Sequence, residues 1–293
     1  MNRRAVAGTA MVLGTSASIQ VAAAIAHGLF DTLTPMGVSA LRFALGAAII
    51  VPAVRPAVRG RDRETWLAVA VYGVSLGVLN ATFFAAFQRL PLGLAVTFAF
   101  VAPLCIALAG SRRRRDVAFA LLAGAGVVVL GGIDRPGSLA GVVLAVAAGC
   151  AWVSVAFAGR VVGRRTRRID GLALAIPIAC LVTLPLGISH AGALDARALA
   201  LGLLIAVGGM ILPFALELEA LRRLEPRMVA VIYSADPAIA AAIGVVALSE
   251  SLTPLQVVGI AAVIAASCGV TTGAPAPERP QPSERSAAAA ASR

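Results

Sequence analysis

The chain has 293 residues, of which 59% are hydrophobic and only 13% charged, and its mean hydropathy is +0.91. Soluble domains carry about 25% charged residues, so this composition excludes a soluble globular protein and predicts an all-α, multi-pass membrane protein. The net charge of +11 does not indicate a nucleic-acid partner, because the arginines fall in short clusters between apolar segments.

Ten apolar segments follow one another along the chain, each near the ~20 residues that a membrane-spanning helix needs. The first could also be a cleaved signal peptide, since it has a basic start and a small-residue end at Ala22–Ala26, but its length favours a first span. Residues 274–293 are rich in Pro, Ala and Ser and are predicted to be a disordered tail. The predicted spans are 5–27, 35–54, 66–88, 92–110, 116–133, 138–160, 170–189, 198–220, 227–248 and 254–273.

The arginines predict the orientation of these spans. With the N-terminus inside, 21 of the 25 arginines fall in cytoplasmic segments and three fall outside, and Arg42 lies within a span. Because cytoplasmic loops carry an excess of basic residues, this distribution places both termini in the cytoplasm and supports an even number of spans. The predicted location is the inner (cytoplasmic) membrane.

An internal repeat divides the chain into residues 1–134 and 135–273. Arg89-Leu90 matches Arg223-Leu224 and Pro103 matches Pro237, both at an offset of 134 residues. Each half has five predicted spans, an odd number, so the two halves must cross the membrane in opposite orientations. Two inverted five-helix repeats with a site at their interface are typical of secondary transporters.

Two charged residues lie deep in the predicted spans. Asp236 is about nine residues into an apolar segment, or ~13 Å, near the middle of a ~30 Å hydrocarbon layer. Arg42 lies about seven residues, or ~10 Å, from the outer end of its span. Asp236 is a candidate site residue, because a carboxylate at that depth is costly; a purely structural salt bridge to Arg42 is the alternative. Arg42 could hold a substrate carboxylate, pair with Asp236, or extend to the membrane surface.

Further polar groups accompany this pair. Glu217 follows Pro213 by about one turn and could line an inner vestibule, whereas Glu219 is predicted to pair with a nearby arginine at the interface. Gln20 and Asn80 fall at a depth similar to that of Arg42, where they could line a cavity or join helices by hydrogen bonds. Three prolines are predicted to break helices and to free backbone carbonyls: Pro103, Pro213 and Pro237.

Two motifs of common enzyme classes are missing from the sequence. It contains no GxxxxGK[ST] loop and no HExxH, and its four cysteines and two histidines show no metal-ligand spacing. We therefore expect no enzyme activity, no cofactor and no metal, and transport driven by a gradient or by mass action. The expected partners are a small-molecule substrate and the lipid bilayer, and a homodimer is left open.

Several segments resemble the drug/metabolite transporter superfamily, specifically its EamA-type members. The stretch Leu252-Thr253-Pro254-Leu255-Gln256 after Glu250 resembles the family's entry to the last helix. A closer resemblance is to the bacterial threonine/homoserine exporter branch. It is carried by Ser18-Ile19-Gln20, Ala40-Leu41-Arg42, Tyr72 to Asn80, Pro91-Leu92-Gly93, Pro213 with Leu216-Glu217, and Ala235-Asp236-Pro237-Ala238.

The resemblance implies a ten-span exporter of small amino acids, with Asp236 or Glu217 exchanging a proton for substrate. A zwitterion needs an anion for its ammonium group and a cation for its carboxylate, which Asp236 and Arg42 could supply. Efflux of drugs or cationic compounds is the alternative within the superfamily. A lipid flippase or an integral-membrane enzyme is the alternative from another class.

Overall fold

The computed structural model describes residues 3–109, 122, 138–166, 169–187, 192, 194–220 and 223–273. All regular secondary structure within these ranges is helical, and the predicted span 116–133 lies outside them, apart from residue 122. The helices are α1 (Arg3–His27), α2 (Phe30–Val54), α3 (Arg63–Phe87), α4 (Leu92–Ala99), α5 (Val101–Ala109), α6 (Ser138–Arg165), α7 (Asp170–Gly187), α8 (Ala196–Ala206), α9 (Leu212–Ala220), α10 (Pro226–Tyr233), α11 (Asp236–Leu248) and α12 (Pro254–Gly273), with a π-helical turn at Val207–Ile211 between α8 and α9.

Six helical segments of the described chain are long and apolar enough to cross a membrane, and three shorter apolar helices accompany them. Many large apolar side chains point outward, including Val246 at 84% and Leu139 at 76% exposure. Helices that are apolar on their outer as well as their inner face are typical of membrane spans. The prediction of an all-helical, multi-pass membrane protein is therefore confirmed.

Helix α4 lies at the centre of the packed helices. All eight of its residues are buried, and it packs against α6 and α11. Gly93 permits the contact with α11, because a Cβ atom there would lie 2.7 Å from the Cβ of Ala241. The N-terminus of α4 is capped from a distant segment: the Leu92 amide donates to both carboxylate oxygens of Glu250, at 2.9 and 3.0 Å. Burial raises the pKa of Glu250, and the Leu92 amide opposes this shift.

Two predicted spans are interrupted near their middle. The span 92–110 divides into α4 and α5 at Phe100, and the span 227–248 divides into α10 and α11 at Ser234-Ala235. Each second half has a proline in its first turn, Pro103 or Pro237, where the missing amide costs no helical hydrogen bond. Leu92 and Pro226, which begin the two first halves, are 134 residues apart, as are Ala99 and Tyr233, which end them.

The predicted span 198–220 contains a different irregularity. Its helix begins at Ala196, widens into the π-helical turn Val207–Ile211 and resumes as α9, with Pro213 as the second residue of α9. A π-helical turn holds one residue more than an α-helical turn, so it shifts the register of everything that follows. The hydrophobic pattern of the sequence does not reveal this extra residue, because both helix types are apolar here.

Candidate functional site

Arg42 is held inside the helix bundle. Its Nη1 donates to Oδ1 of Asn80 at 2.9 Å, and its Nη2 donates to the carbonyl oxygen of Gly209 at 2.5 Å. Its Nε is buried and has no hydrogen-bond partner. The guanidinium therefore connects α2 with α3 and with the π-helical turn, and it does not extend to the membrane surface.

The carbonyl that Arg42 binds lies in the π-helical turn, a few residues before Pro213. The π-helical register pairs the Leu212 amide with the Val207 carbonyl, and Pro213 has no amide to donate to the carbonyls that follow. The neighbouring Gly208 carbonyl accepts from the Ser18 hydroxyl of α1 at 2.5 Å. Two carbonyls that the helix cannot use are thus satisfied by side chains of α2 and α1, as buried backbone groups require.

Gly209 allows this approach sterically as well. A Cβ atom at this position would lie 3.0 Å from the Cβ of Ala22 and 3.4 Å from Cζ of Arg42. A larger residue would therefore push against α1 and against the guanidinium. Glycine here brings α1, the π-helical turn and Arg42 into one contact.

Asp236 is the first residue of α11 and is only 5% exposed. Its Oδ1 has no hydrogen-bond partner, and the buried Ser16 hydroxyl of α1 lies beside the carboxylate and interacts with it. No ion pair joins Asp236 to Arg42 in the described chain, so the structural salt bridge considered above is not formed. Buried polar atoms are rarely left unpaired, so Oδ1 is a candidate for contact with a substrate or a proton carrier.

Glu217 lies on α9 near Asp236 and beside two aromatic hydroxyl groups. The chain has only two tyrosines, and both Tyr72 and Tyr233 interact electrostatically with Glu217. Tyr233 also interacts with Asp236, three residues further along the chain. Neither tyrosine is among the predicted site residues, although their scarcity in an otherwise apolar chain was an available signal.

Of the remaining predicted residues, one has an unpaired side-chain oxygen and two are bound to arginines. Gln20 is 4% exposed, and its Oε1 has no hydrogen-bond partner; it lies one turn beyond Ser16 on α1. Asn80 is engaged by Arg42, as described above. Glu219 accepts from Arg223 at 2.8 Å, which is the interfacial pair that the sequence predicts.

Helix α1 connects the two ends of this site. Ser16 is near Asp236, and Ala22 touches the glycine that holds Arg42. Gln20 lies between them on the same helix, with its side-chain oxygen free. Within the described residues, no group of three His, Cys, Asp or Glu side chains is arranged to hold a metal ion. The site is therefore a buried polar region with an anion at one level and a cation at another.

Comparison with known proteins identifies the class to which this arrangement belongs. A sequence model of the EamA-like transporter family matches residues 139–272. Close relatives cover most of the chain, as given below, and the chain belongs to this family. A solved crystal structure also matches with a TM-score of 0.58 at 21% identity, covering 92% of this chain and 96% of that one, which supports the fold alone.

Two of the relatives carry a specific name. The threonine/homoserine exporter RhtA of Escherichia coli strain K12 is 37% identical over 266 residues, covering 89% of this chain and 90% of that protein. The threonine/homoserine exporter RhtA of Salmonella typhimurium strain LT2 is 37% identical over 268 residues, with the same coverage. The predicted resemblance to this exporter branch is confirmed.

Proposed function

We propose that the protein is an inner-membrane secondary transporter that exports small amino acids of the threonine or homoserine type. The names of its relatives support this substrate class. The structural observation that carries the proposal is the buried Asp236 carboxylate, whose Oδ1 has no hydrogen-bond partner, together with the buried Arg42 guanidinium at a different level of α1. Asp236 binds the ammonium group of the substrate and Arg42 binds its carboxylate.

The spacing along α1 suits one amino acid. Ser16, near Asp236, and Ala22, near Arg42, are six residues apart, which corresponds to a rise of about 9 Å. The ammonium nitrogen and carboxylate oxygens of an amino acid are about 3 Å apart, and a charge-assisted hydrogen bond at each end adds about 2.8 Å. The sum, about 9 Å, is the separation of the two charged groups that the proposal requires. Gln20, midway along the same helix, then meets the substrate's hydroxyl group through its unpaired oxygen.

Proton coupling is the second part of the proposal. Asp236 and Glu217 lie within electrostatic range of each other, and Tyr233 interacts with both. A proton that enters from outside neutralises Asp236 and releases the ammonium group of the substrate. Glu217, nearer the cytoplasmic end of its helix, receives the proton through the Tyr233 hydroxyl and passes it inward.

The proposed architecture is ten spans arranged as two inverted repeats, residues 1–134 and 135–273, with both termini in the cytoplasm. Its support is the matching interruption of α4–α5 and α10–α11 at an offset of 134 residues, together with the arginine distribution. The two interrupted helices bring their breaks to the interface between the repeats. The charge at the breaks is asymmetric, since Asp236-Pro237 corresponds to Ala102-Pro103.

The test is transport by Asp236→Asn in proteoliposomes loaded with labelled threonine. We expect export to fall to the level of empty vesicles, because the amide cannot hold the ammonium charge or exchange a proton. Asp236→Glu, which keeps the charge, is the matched control and retains measurable transport. Normal export by the asparagine variant at wild-type protein levels overturns the assignment.

Efflux of organic cations is a second candidate, favoured by the two tyrosines beside Glu217. Aromatic rings next to a carboxylate attract hydrophobic cations by cation–π and charge interactions. An organic cation has no carboxylate to be bound, so its transport does not require Arg42. Arg42→Gln separates the two functions: loss of threonine export alone supports the amino-acid exporter, and preserved threonine export contradicts it.

A further inference from the structure

A charged cavity of about 580 Å³ lies at one end of the helix bundle, away from the site described above. The loop between α2 and α3 forms one side of it, and the first residue of α7 forms another. Its lining contains four arginines and two aspartates: Arg55, Arg59, Arg61, Arg165, Asp62 and Asp170. The lining therefore has an excess of positive charge.

Both aspartates are already engaged by two of these arginines. Arg61 donates to Asp170 at 3.0 Å and to the carbonyl of Ala57 at 2.6 Å. Arg165 donates to Asp62 at 3.1 Å. Asp62 also accepts from the Thr65 amide at the start of α3, and this interaction together with Arg165 holds its pKa below the usual range. Asp62 therefore stays anionic, and the pairs fix the shape of the cavity.

Arg55 and Arg59 are the remaining cations of the lining. Neither forms an ion pair with any residue that the structure describes. The backbone presents Arg55 in a left-handed conformation, with φ of 49°, and its amide bonds the carbonyl of Val51. Two unpaired guanidinium groups beside a pre-shaped cavity form a site for a phosphate or another oxyanion.

An apolar groove of about 520 Å³ adjoins this cavity, and Arg165 lines both. The groove runs between α3 and α6. Its wall includes Leu67, Val71, Phe157 and Val161, each at least 45% exposed and each within a candidate membrane span. Arg165 also contacts Glu64, at 2.5 Å, which lines the groove beside it. The groove thus faces the hydrocarbon layer and meets the charged cavity at Arg165, which lines both.

We propose that these two cavities together bind one anionic phospholipid. The phosphate contacts Arg55 and Arg59, and an acyl chain occupies the groove between α3 and α6. Continuity with the apolar groove favours a lipid over a soluble phosphate compound, which has no use for the groove. Basic pockets between transmembrane helices are a general means of binding anionic headgroups.

The test is lipid binding to the delipidated full-length protein, measured by native mass spectrometry with phosphatidylglycerol or phosphatidylcholine. We expect one phosphatidylglycerol to bind in preference to phosphatidylcholine. In the double variant Arg55→Gln/Arg59→Gln the affinity falls on the order of 30-fold, since each basic side chain near a membrane surface contributes to the attraction. Arg63→Gln removes an exposed arginine that lines neither cavity and is the matched control with unchanged binding.

A second variant tests the groove independently of the charges. Ser154→Trp places a large ring in the groove and is expected to lower phosphatidylglycerol affinity while leaving the charged cavity intact. Equal binding of the two lipids, or unchanged binding by the double variant, overturns the proposal. Binding of inorganic phosphate that is lost in the double variant, without a preference between the two lipids, also overturns the proposal in favour of a soluble anion. Because the readout is binding, its failure is distinct from a failure of the transport proposal.

Discussion

At the scale of single residues, the site is marked by buried polar atoms without partners. Gln20 Oε1 and Asp236 Oδ1 are both buried and unpaired. Leaving a buried polar group unsatisfied costs about 1–3 kcal/mol, so stability alone gives no reason to keep these residues. Their cost is explained if a substrate supplies the missing hydrogen bonds during transport. Stability and activity should therefore respond in opposite directions to substitution here.

Gln20→Met tests this opposition. The methionine side chain has a similar length and no polar oxygen to desolvate, so we expect thermal stability in detergent to rise by about 1 kcal/mol. Threonine transport should fall at the same time. Asn80→Leu is the contrasting variant, because it removes the acceptor of Arg42 and should lower stability. A Gln20→Met protein that is less stable, or that transports normally, contradicts the interpretation.

At the scale of helices, the sequence predicted where helices lie in the chain far better than where they are interrupted. The span 254–273 coincides with α12, and the predicted starts at 138 and 170 coincide with those of α6 and α7. Apolar segment length carries that information directly. The π-helical turn was not predictable, because it is a change of hydrogen-bond register among residues that are apolar in either register.

The site was predicted to a similar extent, and for related reasons. Charge at depth is the signal that selects Asp236 and Arg42 as candidates, but the partner of Arg42 could not be predicted from side chains. That partner is the Gly209 carbonyl, which lies in the π-helical turn just before Pro213. The pairing with Asn80 likewise depends on how α2 and α3 pack against each other.

Pro213→Ala tests the role of the freed carbonyl. Alanine restores an amide that can bond a carbonyl of the π-helical turn and compete there with the side chains of Arg42 and Ser18. We expect the variant to be more stable by about 1–3 kcal/mol, because an interior helix hydrogen bond is regained, and to transport threonine more slowly. Pro185→Ala, at an exposed position of α7, is the control. Equal transport by both variants would show that the freed carbonyl has no functional part.

At the scale of the whole molecule, the two interrupted helices begin and end at the same sequence offset from each other. Most arginines fall in the segments that are predicted to lie on the cytoplasmic side of the membrane. The proposed ten-span topology puts the loop after Val54 and the loop after Leu248 on opposite sides of the membrane. The first contains Arg55, Arg59 and Arg61, whereas the second, Ser249 to Thr253, contains no arginine. This difference agrees with the proposed topology, because cytoplasmic loops carry an excess of basic residues.

Reporter fusions test that arrangement. Alkaline phosphatase, which folds only outside the cytoplasm, is expected to be inactive when fused after Gly60 and active when fused after Ser251. Activity of both fusions, or of neither, would contradict the ten-span topology. A fusion after Gly192, predicted to lie outside between the seventh and eighth spans, is expected to be active as a further check.

The π-helical turn has a consequence for the direction in which the downstream helix faces. Each residue added to a helix rotates all later side chains by about 100°, since an α-helix has 3.6 residues per turn. The turn Val207–Ile211 therefore sets the angular position of Glu217 relative to α1. Removing one residue from it would leave composition and hydropathy almost unchanged, yet would point the carboxylate of Glu217 toward a different neighbour. The number of residues in this turn therefore affects the direction of the Glu217 side chain, independently of which residues they are.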